Sequence, residues 1–214
     1  MARSWVFLVW VLVLVIAASV VAGMARSEAA VGDVRLSEIL AGPARDWDGD
    51  SVYDARKDEW VEIANVGGAP VDLTPYRLAD ADSTIRYAFS GSLAPGAVLL
   101  VTGSAAEAWQ RSAGRAVTGL SLNNAGDTVR LFRIAGPDTS VVDVKTYNGI
   151  EGAADRATGR MAGSDGWTLF DALNPYSGTG EPKGSGCAPT PGVENGCPTD
   201  VGEVTWGQIK TLWR

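Results

Sequence analysis

From Val34 onward the chain is cut into short runs rich in Val, Leu, Ile and Tyr, each bounded by Gly, Pro, Asn or Asp. That punctuation leaves room for strands and very little room for helices, which need longer uninterrupted periodicity. The expected strands are Val34–Leu40, Glu59–Asn65, Val71–Ala79, Ile85–Ser90, Val98–Thr102, Ala116–Ser121, Thr128–Ile134 and Val141–Tyr147. Shorter, weaker strands are expected near Gly159–Met161 and Trp167–Phe170. Turn signals at Val66-Gly67-Gly68, Ala94-Pro95-Gly96, Asn123-Asn124-Ala125-Gly126 and Ala135-Gly136-Pro137 separate them. A spacing of about a dozen residues suits an all-β sandwich rather than βαβ units. One short helix is expected over Ala105–Gln110, capped by Ser104. Residues 171–200 are rich in Gly, Pro, Ser and Thr and read as a loop-dominated extension.

The two ends differ from this middle. Arg3 precedes an apolar run from Trp5 to Val21, followed by the small residues Ala22, Gly23, Ala25 and Ala29. Residues 1–29 therefore read as a signal peptide, with an uncleaved signal anchor over residues 5–25 as the alternative. Either way the remainder is expected outside the cytoplasm: secreted, periplasmic or at the cell surface. At the other end, residues 198–214 form a linker and a short amphipathic tail. Trp206, Ile209 and Trp213 fall at helical spacing there and are candidate partner-binding residues. The tail docking back onto the sandwich is the competing reading.

Composition narrows the chemistry. The chain contains no histidine, which removes Ser–His–Asp and Cys–His nucleophile systems and any His-liganded metal. Carboxylate-only catalysis stays open, but the balance shifts from an enzyme to a binding or structural module. The formal net charge is −7 and the basic residues are scattered, so the footprint of nucleic-acid binding is missing. The two cysteines, Cys187 and Cys197, flank a turn-rich stretch holding Pro189, Pro191, Gly192 and Gly196. In an oxidising compartment they read as a disulfide. Closing so short a loop contributes roughly 2–3 kcal/mol by chain entropy.

The strongest chemical candidate is the acidic segment from Asp46 to Glu59. An EF-hand loop takes ligands from its first, third, fifth, seventh, ninth and twelfth positions. Counted from Asp46, these are Asp46, Asp48, Asp50, the Val52 carbonyl, Asp54 and Lys57. Lysine is wrong in the last place, so Asp58 or Glu59 would have to close the shell. The segment is thus no EF-hand, but a calcium-binding Asp-rich loop is the expectation, because clustered carboxylates repel one another unless solvated or neutralised by a cation. A solvated acidic turn balanced by Arg45, Arg56 and Lys57 is the alternative. Trp47 reads as an exposed contact residue, Trp60, Trp167 and Tyr76 as core, and Asp127 as a turn former. Asn123 and Asn124 suit positive-φ turn positions. Glu59 and Glu62 are candidate paired acids.

Taken in order, the strands resemble the bacterial lamin-tail domain, an immunoglobulin-like β-sandwich found in exported prokaryotic proteins and in nuclear lamins. Val34-Arg35-Leu36-Ser37-Glu38-Ile39-Leu40 looks like its opening strand. Asp58-Glu59-Trp60-Val61-Glu62-Ile63-Ala64-Asn65 is similar to its "D-E-W/F-V-E-L-x-N" strand. Val71-Asp72-Leu73 with Tyr76-Arg77-Leu78-Ala79-Asp80, then Leu93-Ala94-Pro95-Gly96, continue the likeness. So do Leu122-Asn123-Asn124-Ala125-Gly126-Asp127-Thr128-Val129-Arg130-Leu131, followed by Val142-Asp143 and Tyr147, and Pro189-Thr190-Pro191-Gly192-Val193-Glu194-Asn195 resembles the closing "T-P-G-x-x-N". The likeness spans residues 33–197; the extension around 171–188 and the cysteine pair depart from it.

The resemblance implies a fold more than a function. The leading expectation is a non-catalytic extracellular or periplasmic module, calcium-stabilised, that attaches to a surface or contacts a protein or glycan. A carboxylate- and metal-dependent hydrolase and a membrane-anchored interaction protein are the alternatives.

Overall fold

The computed structural model describes residues 33–197. The expected export segment (1–29) and tail (198–214), with Trp206, Ile209 and Trp213, lie outside them. Eleven strands and one helix follow in order: β1 (Val34–Leu40), β2 (Trp60–Asn65), β3 (Val71–Asp72), β4 (Tyr76–Ala79), β5 (Ile85–Ala88), β6 (Ser92–Leu93), β7 (Val98–Thr102), α1 (Gly103–Ser112), β8 (Gly126–Ala135), β9 (Asp138–Asn148), β10 (Ala157–Arg160) and β11 (Trp167–Phe170). One sheet runs β11-β10-β1-β2-β7, a second β5-β4-β8-β9, and β3 pairs with β6. All these pairings are antiparallel. The chain is mostly β, consistent with an immunoglobulin-like sandwich. Among the described residues no helix is long and apolar enough to cross a membrane.

Alternation explains the main core. Val34, Leu36 and Ile39 of β1, Val61 and Ile63 of β2, and Val101 of β7 meet Tyr76, Leu78, Val129, Leu131 and Tyr147 of the second sheet. The register of β1 on β2 shifts between Leu36 and Glu38. This bulge changes the phase of β1, so Ile39 joins Val34 and Leu36 inside while Glu38 and Leu40 turn to the outer face. The Leu36 amide faces the bulge and donates to Asp143 Oδ2 on β9 (2.9 Å).

The outer face of the five-stranded sheet is not left to solvent. Leu40, Trp60, Ala157 and Phe170 form a second core there with Cys187, and Trp47 packs against it. The lid is the extension 171–197. It is closed by the Cys187–Cys197 disulfide (Cα–Cα 5.0 Å), as the cysteine spacing predicts. Asn195 Nδ2 donates to the Ser37 carbonyl (3.1 Å), and Thr190 and Gly192 donate to Glu38 and Glu62.

Three sequence expectations need correction. The run 71–79 is two strands, because Pro75 offers no N–H to a ladder and Tyr76 N donates to Leu73 O (2.9 Å) in a turn. The helix is longer than expected and begins at Gly103. Its cap is Thr102, whose Oγ1 accepts from Ala105 N (3.2 Å), with Ser104 inside the helix. Finally, Ala116–Ser121 is not a strand. Buried Gln110 takes over the role of a partner strand: its Oε1 accepts from Thr118 N (2.7 Å) and Gly119 N (3.0 Å), and its Nε2 donates to Arg86 O and Gly119 O. With these backbone groups satisfied, the segment needs no ladder, and Leu120 and Leu122 drop into the core. The two weak strands form and complete the larger sheet.

Gln110→Ala leaves these buried backbone groups without partners. We expect a loss of about 2–3 kcal/mol, read as a lowered thermal midpoint, with a β-type circular dichroism spectrum retained at low temperature.

Candidate functional site

The loop joining β1 to β2 is a chain of carboxylate-to-backbone hydrogen bonds. Asp46 accepts from Gly49 N and Ser51 N (both 2.7 Å), Asp48 from Asp50 N (3.1 Å) and Asp50 from Val52 N (2.7 Å). Asp and Asn side chains favour such local turns. Gly49 (φ 79°) and Ser51 (φ 69°) both occupy the left-handed region, which tightens the coil. Carboxylate oxygens of Asp46, Asp48 and Asp50 lie within 4.8 Å of one another, the one such acidic group among the described residues.

The other predicted ligands take different positions. Asp58 is fully buried and acts as the loop's internal post: Oδ1 accepts from Trp47 N (2.7 Å) and Asp48 N (3.0 Å), and Oδ2 from Asp54 N (2.7 Å). Asp54 turns to Arg56 N and Lys57 N, whose hydrogen bonds hold its carboxyl below the usual range. The Val52 side chain is exposed. Glu59 leaves the loop altogether, is buried, and accepts from Leu122 N (3.1 Å). Of the balancing cations, Lys57 Nζ stands 4.0 Å from Asp54 and Arg45 pairs with Asp155 instead.

Asp155 is the second post and carried no signal in the sequence. It accepts from Ala44 N (2.9 Å), Arg45 Nε (3.0 Å) and Trp47 Nε1 (3.0 Å). Trp47 is therefore not an exposed contact residue. It is half-buried, edge-on to Trp60 with ring centroids 6.1 Å apart. Trp60 and Tyr76 are core, as expected, and Trp167 is half-buried against the main core, with Lys145 and Arg160 both within cation–π reach of its ring. Asp127 forms its turn, accepting from Asn123 N (3.1 Å) and Thr128 N (2.7 Å). The left-handed residues near that turn are Ser121 and Gly126 rather than Asn123 and Asn124.

Glu59 and Glu62 do not pair. Glu62 instead faces Glu38 across β1 and β2, both fully buried beneath the disulfide-closed lid. Glu38 accepts from Thr190 N (3.2 Å) and Thr190 Oγ1 (2.7 Å), and Glu62 from Gly192 N (2.7 Å). Burial pushes Glu38 up to about 8, aided by the neighbouring Glu62 charge, and Glu62 up to about 7. Burial likewise raises Glu59 to about 8. Desolvation disfavours the ionised form at each. The bulge at Ser37 hid this pair, since only the shifted register brings Glu38 opposite Glu62.

These protons make stability depend on pH. Unfolded carboxyls lose them near 4.5, whereas the folded ones hold them to about 7 or 8. Between those values the folded state binds more protons, so stability falls as pH rises. Asp54, Asp72 and Asp82 are shifted downward and act only below their ordinary 3.8, outside that window. We expect a lower thermal midpoint at about pH 8 than at about pH 5. Glu38→Gln, which mimics the protonated acid, should flatten that slope and raise the midpoint at about pH 8 by about 2–4 °C. An unchanged slope in melts at both pH values would assign the titration to other groups.

Comparison with known proteins agrees with this architecture. The family model for the Lamin Tail Domain matches residues 27–149, more than half of the chain. No curated protein matches it. The matched stretch ends after β9, yet β10 and β11 complete the five-stranded sheet begun by β1, β2 and β7, and the lid its outer core. With this match and a mostly β structure, the chain belongs to the lamin tail domain family.

Proposed function

We propose that this chain is an exported, non-catalytic interaction module whose Asp46–Asp50 coil is stabilised by a bound calcium ion. The observation that carries the calcium reading is the convergence of three carboxylates from Asp46, Asp48 and Asp50 within 4.8 Å. Calcium accepts irregular oxygen shells in flexible loops and takes carbonyl and water ligands besides carboxylates. The carbonyl of Val52, from the same coil, is the candidate to add to these three. The buried posts Asp58 and Asp155 hold the coil from beneath, so an ion would meet a shape already set.

The non-catalytic reading is supported by where the unusual acids lie. An acid–base catalyst must reach the substrate's proton. Glu38 and Glu62 are sealed under the lid, and Glu59, which lines an open cleft with Asp80, Asp82 and Asp127, is buried and committed to the Leu122 amide. The family itself suggests a β-sandwich that binds or interacts. Export follows from the apolar leader at 5–21, and the Trp206–Trp213 tail is the proposed contact for a protein or cell-surface partner.

Thermal melts with excess EDTA, with millimolar calcium and with millimolar magnesium test the ion. Ligand binding to the folded state alone adds about 2.7 kcal/mol at a hundredfold excess over Kd. Calcium should raise the midpoint by several degrees, magnesium by less, and the combined Asp48→Asn and Asp50→Asn substitution should abolish the rise. No shift under any condition would remove calcium from the proposal.

A further inference from the structure

Beyond the lid, the outer face of the larger sheet carries a groove of about 290 Å³ at one end of β1, β2 and β7. Arg35 of β1, opposite Ala64 of β2, lies in it. Gly67, Gly96 and Gly163 contribute wall without side chains, and the space where a Cβ would stand at Gly96 and Gly163 is open. A ligand's backbone can therefore come close.

The groove holds two guanidinium groups in different states. Arg160 is largely committed: four of its five N–H groups donate, to the Leu36 carbonyl (2.9 Å), to both Asp143 oxygens and to the Asp165 carbonyl (3.2 Å). Arg35 is not. Its Nη1 reaches Asp165 Oδ1 (2.7 Å), a carboxylate whose side chain is 99% exposed, and so exposed a pair contributes little. Its Nε is buried with no hydrogen-bond partner among the described residues. A buried donor without an acceptor is costly, and a ligand oxygen that reaches it removes that cost.

We propose that this groove binds a carboxylate, held by the Arg35 guanidinium. The planar fork of arginine matches a carboxylate with two parallel N–H···O bonds. A single guanidinium whose one ion pair is to an exposed carboxylate, with Glu194 also lining the groove, fits a monoanion better than a phosphate dianion. The ligand chemistry is that of an acidic peptide side chain or a peptide C-terminus. This deepens the interaction reading above and is independent of the calcium loop, so the calcium melts and the carboxylate titration fail separately.

The experiment titrates the isotope-labelled protein with N-acetylglutamate α-methylamide, N-acetylglycine, their neutral amide counterparts and inorganic phosphate, following the Arg35 Nε–H and the Gly67, Gly96 and Gly163 amides by NMR. Saturable shifts with one or both carboxylates and none with the amides are expected, and which probe binds distinguishes side chain from C-terminus. Arg35→Gln should abolish them, and Glu194→Gln should tighten binding by about two- to threefold by removing a like charge. If Arg35→Gln melts abnormally, Arg35→Lys decides: it keeps the charge, loses the fork, and should weaken binding about tenfold. Equal shifts with the amides, no saturation, tighter binding of phosphate, or full binding by Arg35→Lys would overturn the proposal.

Discussion

The five-stranded sheet must be covered on both faces, and the rest of the molecule is arranged to do it. A sheet edge or face left bare exposes apolar side chains and unpaired backbone. The second sheet covers the inner face through Leu36, Ile63, Leu78 and Leu131. The outer face carries Trp60 and Phe170, both fully buried, and among the described residues no further sheet lies over it. The acidic loop supplies Trp47, and the Gly- and Pro-rich extension supplies Cys187 and the segment Thr190–Asn195. Features that look unrelated in the sequence, an acidic loop and a low-complexity extension, thus answer one requirement.

That requirement places polar chemistry in the interior. Once the bulge at Ser37 turns Glu38 outward and the lid covers it, two fully buried carboxyls face one another and accept hydrogen bonds from the lid. The same lid carries Glu194 at the margin of the Arg35 groove. One covering segment thus buries the two carboxyls and sets a negative charge beside Arg35.

The strands were legible where alternation and turn residues agree. β1, β7 and β11 match their expected limits, and β10 and β2 differ by one or two residues. Tertiary contacts decided the rest. Ala116–Ser121 has the composition of a strand, but the Gln110 side chain satisfies its backbone from a distance no local pattern reveals. Thr102 displaces Ser104 as the cap because the chain turns two residues earlier, straight out of β7. At the loop, Asp46, Asp48 and Asp50 converge as alternate spacing suggests. Asp58 and Glu59 sit next to them in sequence, yet burial sends one under the loop and the other to Leu122. The contribution of Asp155, more than a hundred residues from Trp47, could be read only from the folded chain.

The lid also fixes where this domain can be cut. The family match ends at residue 149, but a fragment ending there would lack β10, β11 and the disulfide loop. It would present Trp60, Leu40 and the carboxyls of Glu38 and Glu62 to water, along with an open hydrogen-bonding edge on β1. Such a piece has the ingredients for self-association. A cut that keeps the outer face of this sheet covered therefore lies past Cys197, about fifty residues beyond the boundary that sequence similarity draws.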